Sequence, residues 1–384
     1  MHITDYELYQ VPPRWLFLRI ETSDGLIGWG EPIVEGRANT VETAVKELMD
    51  SYLLGNNPLR IEDHWQTMYR GGFYRGGPVL MSAIAGIDQA LWDIKGKHYG
   101  APVYELLGGP VRDRIRMYQS AGGATPAESA EHASATVDAG FSALKTSPQG
   151  PLRSIETPGA VMEVCEHISA MCEAIGPDID LAVDFHGRVA KPLAKRLIAA
   201  LEPYDLMFVE EPVTPQNSAS IPALAARTET PIATGERLYS RWDFKPLLEL
   251  DALDVVQPDL SHAGGITECH KIASMAEAYD VAVAPHCPLG PIALASSIQL
   301  DACAPNALIQ EQSVDIANVN GSRDDLLSYL VNPDVFSLND GYVELPSNPG
   351  LGIELDIDTV TERSESHNWK NPVLRHDDGS LAEW

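Results

Sequence analysis

From residue 184 onward, ionisable residues recur at nearly one interval. Asp184, Glu210, Glu236, Asp259, His286 and Glu311 stand 26, 26, 23, 27 and 25 positions apart. Each closes a short apolar run, in order DLAVDFH, LMFVEEP, PIATGE, DVVQPD, VAVAPH and ALIQEQ. One such residue alone reads as a loop carboxylate or a helix cap. Six in register read as side chains gathered at one place.

Their chemistry divides by type. Asp184, Glu210 and Glu236 form an oxygen-only set, which suits a hard divalent cation such as Mg2+ with positions left for water or substrate. Without a cation, three buried carboxylates repel one another. Glu211 follows Glu210 directly and points to the other side of its strand, as a structural carboxylate. His186 lies two residues after Asp184, which puts both on one face of a strand, where an imidazole serves as acid or base near neutral pH. His286 has Asp259 on the preceding strand, and an aspartate on one ring nitrogen raises the basicity of the other. That pair is the expected base. Glu311 reads as a contact to a substrate's carboxylate or its enolate, protonated if desolvated, or else as a plain solvated carboxylate. Lys145, at the end of FSALKT, is either positive charge beside the metal or a surface lysine. Arg188 and Arg237 flank ligands and receive no role.

The elements that must position these residues are short buried strands alternating with helical segments. The runs IRMYQS and FSALKT precede the six above, so eight strands are expected over residues 115–334. A closed β/α barrel carries its chemistry at the C-terminal ends of its strands, where the ladder falls. Strands three and seven are opposite in a ring of eight, so His186 and His286 should face each other. Residues 1–114 read as a separate α+β capping unit. WLFLRIETSDG and LIGWGEP form a hairpin at an Asp-Gly turn, and helical spacing follows over residues 40–70 and 78–99. The stretch GGFYRGGP reads as a mobile loop. Residues 335–384 are turn-rich and are expected to pack back on the capping unit.

The bulk numbers narrow the partners. A net charge of −28 over 384 residues repels phosphate backbones and anionic membranes, which leaves small molecules rather than nucleic acid or membrane. The spread of acid matches proteins of high salt, or an ordinary acidic enzyme, and says nothing of the chemistry. No signal peptide or long apolar run appears, so a cytoplasmic location is expected. Five cysteines without a CxxC pair read as reduced thiols rather than disulfides or a zinc site.

These residues together resemble the enolase superfamily, its mandelate racemase subgroup and, within that, the D-galactonate dehydratase family. The resemblance runs through YELYQVPPRWLFLRIET, GGFYRGGPVLMSAIAGIDQALWDIKGK, AVDFHGR, FVEEPV, GERLYSRWDFK, QPDLSHAGGITE, APHCPLGPIALA, QEQS and LAEW. It implies Asp184, Glu210 and Glu236 as Mg2+ ligands, His286 with Asp259 as base and His186 as general acid. It further implies capping loops around Trp15 and Tyr74 that select a sugar acid, and an even-numbered homo-oligomer. Racemases of the subgroup carry KxK at the end of the second strand. Here the triplet is Lys145, Thr146, Ser147, so one of the two bases that racemisation needs is missing. The implied activity is dehydration of an aldonate, D-galactonate first and D-gluconate, D-xylonate or L-arabinonate as alternatives. An acid-sugar epimerase and a sugar-acid-sensing barrel are the rival readings.

Overall fold

The computed structural model describes residues 1–148, 150–316, 325–364 and 369–384. The chain opens with an antiparallel sheet of β1 (Ile3–Val11), β2 (Trp15–Thr22) and β3 (Ile27–Gly30). The Asp-Gly turn closes the β2–β3 hairpin with Gly25 at φ 78°, in the left-handed region that glycine enters without steric cost. β1, which carries no strong alternation, is ordered by pairing along the whole of β2. Helices α1 (Ala38–Leu48), α2 (Ile61–Gly71) and α3 (Pro78–Tyr99) follow. The helical spacing over 40–70 is interrupted before α2 by the Asn56–Asn57–Pro58 stretch, where proline and the two asparagines favour a turn. α3 is buried along nearly its full length, between this sheet and the second unit.

After the single-turn α4 (Val103–Leu106), the barrel strands alternate with helices. They run β4 (Arg114–Ser120), α5 (Pro126–Asp138), β5 (Ala143–Thr146), α6 (Pro158–Ile175), β6 (Asp180–Asp184) and α7 (Lys191–Leu201). Next come β7 (Val209–Glu210), α8 (Ile221–Ala225), β8 (Ile232–Thr234), α9 (Arg241–Glu249) and β9 (Val255–Val256). The series ends with α10 (Gly265–Glu277), β10 (Ala282–Val283), α11 (Pro291–Cys303) and β11 (Gln310–Gln312). Parallel pairing runs unbroken from β4 to β10. A bridge between Val283 and Ala307 and the pairing of β11 with β4 close the ring. The fold is therefore α/β, a β/α barrel beside an α+β unit, as the strand pattern implied.

Inside the ring, each strand position contributes one side chain to a separate apolar cluster: Tyr118, Ala143, Ala182, Phe208, Ala233, Val255, Ala284 and Ile309. Tyr118 and Phe208 meet edge to face at 6.5 Å, and alanines fill the narrower places around them. This is the packed floor of a small barrel. Two residues further along the chain, the strand period brings the next layer inward. That layer is Ser120, Lys145, Asp184, Glu210, Gly235, Gln257, His286 and Glu311. The chemistry thus sits one layer above an apolar floor.

The last segment divides. β12 (Leu338–Asn339) and β13 (Tyr342–Glu344) form a hairpin that adds antiparallel to Arg114–Arg116. These residues of β4 lie before its pairings with β5 and β11, and β13 satisfies their backbone groups. α12 (Ile357–Arg363) instead packs on β1, and Tyr329 sets its ring edge on Phe17 and donates its hydroxyl to the Pro12 carbonyl at 3.0 Å. Among the described residues, no helix is long and apolar enough to cross a membrane. All five cysteines are free thiols.

Candidate active site

A cavity of about 390 Å³ opens at the C-terminal ends of the barrel strands, and its walls include Lys145, Asp184, His186, Glu236, His286 and Glu311. Asp184, Glu210 and Glu236 are buried, and each offers an oxygen within 4.8 Å of the others. Burial raises all three carboxyls above their ordinary range, to about 7 for Glu210 and about 8 for Glu236, and their mutual repulsion adds to this. Glu236 Oε2 is buried and makes no hydrogen bond, although His286 Nε2 lies 3.3 Å away. An all-oxygen triad with an orphaned buried oxygen fits a divalent cation.

Lys145 is no surface lysine. Its ammonium is buried, 2.7 Å from Glu210 Oε1 and 2.8 Å from Glu311 Oε1. Burial alone would lower its pKa, yet the two carboxylates drive it well above the usual value. Glu311 is no solvated carboxylate: it is buried and lines the cavity, and although burial pushes its pKa up, Lys145 and His286 outweigh that and hold it low, against the protonated form. Its second oxygen accepts the Cys287 N–H at 3.0 Å. The sequence alone could not reveal that a buried cation would face it.

His286 Nδ1 stands 2.8 Å from Asp259 Oδ2, so the carboxylate sets the ring's orientation and leaves Nε2 toward the cavity. Burial lowers this imidazole, but Glu236 and Asp259 overcome it and raise it to about 10. Asp259 is itself fixed by the Ser261 N–H at 2.6 Å. The loop that carries it is bonded to the capping unit: Gln89 Nε2 donates to the Leu260 carbonyl at 2.9 Å and Trp65 Nε1 to that of Gly264 at 2.8 Å. Asp259 and His286 lie beyond the last paired residues of β9 and β10.

His186 reaches the cavity by a route other than strand alternation. β6 ends at Asp184, and His186 and Gly187 turn the chain with φ of 56° and 52°. A left-handed histidine costs about 1–3 kcal/mol and is held here by its surroundings. Its N–H bonds Asp184 Oδ1 at 2.5 Å, and its carbonyl accepts from Arg237. Gly187 suits both the positive φ and the close approach of the Arg237 guanidinium, which a Cβ there would displace. Burial, then the charges of Arg237 and Arg188, lower the His186 pKa to about 4, which leaves it neutral in this state. Glu211 accepts from Thr234 and from the Gly235 N–H, the structural role expected of it. Arg188 bonds the Pro148 carbonyl, while Arg237 lines the cavity.

Several site residues escaped the sequence. Gln257 donates to Glu210 Oε2 at 2.8 Å. His262 lines the cavity 3.8 Å from Asp259 and bonds Ser82 at 3.0 Å; the three-residue step from Asp259 was its one signal. Arg14, Glu35 and Trp384 come from distant parts of the chain. Trp15 itself is buried as the first residue of β2, where its apolar ring stabilises the core, and in the stretch around it Arg14 lines the cavity. Tyr74 stands 85% exposed and lines no part of the cavity.

Comparison with known proteins accords with this geometry. Residues 12–108 match the mandelate racemase / muconate lactonizing enzyme N-terminal domain, and residues 128–360 match the enolase C-terminal domain-like family. The chain is 55% identical to D-galactonate dehydratase of Ralstonia nicotianae and 53% identical to that of Pectobacterium atrosepticum, each over 100% of both chains. An enolase crystal structure from Agrobacterium radiobacter, with bound sodium and L-malate, superposes with a TM-score of 0.91 at 32% identity, covering 100% of both chains. With two family domains matched in order and full-length relatives above half identity, the chain belongs to the mandelate racemase / muconate lactonizing enzyme family of the enolase superfamily.

Proposed function

We propose that this protein is a Mg2+-dependent hydro-lyase that converts D-galactonate to 2-dehydro-3-deoxy-D-galactonate. The observation that carries the reading is the pairing of His286 with Asp259 in the same cavity as His186 and the acidic triad. His286 Nε2 takes the proton from carbon 2, with Asp259 holding Nδ1 and stabilising the imidazolium. Asp184, Glu210 and Glu236 would hold a divalent cation, which when bound would supply positive charge beside the substrate's carboxylate and offset the Glu236 charge that raises His286. Lys145 adds a fixed positive charge behind Glu210 and Glu311. His186 gives a proton to the carbon 3 hydroxyl, which leaves as water, and the enol becomes the 2-keto acid. For this His186 must be charged with substrate in place; the substrate's negative charge opposes Arg237 and Arg188 and raises its pKa.

Ser147 lines the cavity where a racemase has its second lysine, and a hydroxyl cannot serve as the opposing base. This favours elimination over epimerisation. The test is a panel of aldonates with Mg2+, followed by NMR for 2-keto-3-deoxy acids. D-galactonate should show the highest kcat/KM, with D-gluconate, D-xylonate and L-arabinonate at least about tenfold lower, since a misdirected hydroxyl leaves a buried polar group unpaired at about 1–3 kcal/mol. Recovery of a 2-epimer in place of a keto acid would refute the reading.

A further inference from the structure

The two histidines are held in different ways. His286 is fixed by a carboxylate on its ring, whereas among the described residues no side chain hydrogen-bonds the His186 ring. What meets that ring is Trp384, whose indole lies edge to face with it, centroids 6.0 Å apart and planes at 84°. Trp384 is carried by a small hairpin in which the Ala382 N–H donates to the Leu374 carbonyl at 3.0 Å and the His376 N–H to the Ser380 carbonyl at 2.9 Å. Gly379, at φ 83°, makes the turn between them.

The indole is backed from the capping unit. Trp369 lies 6.2 Å behind it, and the Arg14 guanidinium sits 5.2 Å over Trp369 and 4.8 Å over the core residue Trp15. A continuous stack of rings and one cation therefore runs from the capping sheet to His186. An imidazole has a broad, two-fold torsion about its ring bond, so without a hydrogen-bond partner its orientation depends on packing. A face presented by an aromatic edge restricts that torsion and keeps water off one side.

We propose that Trp384 is a positioning residue for His186, and that it holds the imidazole where its proton meets the leaving hydroxyl. The proposal rests on the dehydratase reading above. It separates Trp384 from the carbon 2 proton transfer, which His286 performs from the other side of the barrel.

The test uses full-length protein with Mg2+ and two substrates, D-galactonate and 3-deoxy-3-fluoro-D-galactonate, whose fluoride leaves with little acid help. Trp384 is 40% exposed, so its truncation leaves the core intact. Trp384→Ala should lower kcat on D-galactonate about ten- to a hundredfold, the usual cost of a misplaced catalytic group. Fluoride release should change by less than about threefold, because the acid is not needed there. Trp384→Phe, which keeps an aromatic ring there, should retain kcat on D-galactonate within about threefold. Equal loss on both substrates, or no loss on either, would overturn the assignment while leaving the dehydratase reading in place. Wild-type protein inactive on every aldonate would overturn that reading and the assignment with it.

Discussion

Lys145→Met tests whether the buried charge network organises the site. The ammonium contacts Glu210 and Glu311 at 2.7 and 2.8 Å, with side-chain exposures of 6%, 0% and 3%, so no water replaces it. Breaking a buried pair by removing one partner costs about 3–5 kcal/mol. An unfolding entropy of about 2.1 cal/mol/K per residue over 384 residues gives roughly 1.2 °C per kcal/mol, so the metal-free variant should melt about 4–6 °C lower at pH 8. The sign of the pH dependence follows from the carboxyls. In the wild type Glu311 is held low by Lys145, so its contribution is present above its unfolded pKa and is lost as pH falls through the lower folded value. In the variant the burial of Glu311 is opposed only by His286 and the Cys287 N–H, so its pKa rises, and that of Glu210, already raised, rises further. Raised carboxyls stabilise the fold at low pH and cease to do so as pH rises through their folded values. Both changes make the gap between the proteins widest at neutral pH and above, and narrower near pH 5. Thermal unfolding in EDTA across pH 5–8 measures it, and Lys145→Met with Glu311→Gln should cost less than the two single changes summed. A gap below about 1 kcal/mol, the scale of an exposed pair, or one that does not narrow on acidification, would refute the network.

Three further outcomes follow from the same geometry. Because Glu236 and Glu210 are raised to about 8 and 7, Mg2+ should displace protons, bind more tightly as pH rises through 7–8 and level off above; calorimetry in buffers of different ionisation enthalpy counts the protons. Asp259→Asn removes the carboxylate on His286 Nδ1 and should reduce kcat about 10²–10⁴-fold with little change in KM, read in steady-state kinetics. Glu31, buried at the start of α11 and raised to about 8, accepts the Gly290 and Ala293 N–H groups. Glu31→Leu should cost about 1–3 kcal/mol by orphaning them, and Glu31→Gln clearly less, by thermal unfolding at pH 7.

How far the sequence reached can be judged residue by residue. The ladder from Asp184 to Glu311 was legible because one strand, one helix and two loops repeat at nearly constant length, and the barrel follows from that repeat. Glu211 was legible too, since its adjacency to Glu210 turns it away. Lys145 was ambiguous, because whether a lysine is buried depends on which carboxylates the closed ring brings to it. His186 faces the cavity as expected, but through a left-handed turn at 186–187, which composition does not signal. Arg14, Glu35 and Trp384 join the site from outside the strand-and-helix repeat that runs from Arg114 to Gln312. Only the packing of the capping sheet and the terminal hairpin brings them there.

The central claim is that His286 removes the carbon 2 proton and that water then leaves from carbon 3. The most direct measurement is NMR of D-galactonate with the wild type and with His286→Asn, in deuterated buffer with Mg2+. The account predicts a 2-keto-3-deoxy acid from the wild type with solvent deuterium at carbon 3, and neither product nor exchange at carbon 2 from the variant. Exchange at carbon 2 that survives in His286→Asn, or a wild type that returns only unchanged or epimerised galactonate, would contradict it.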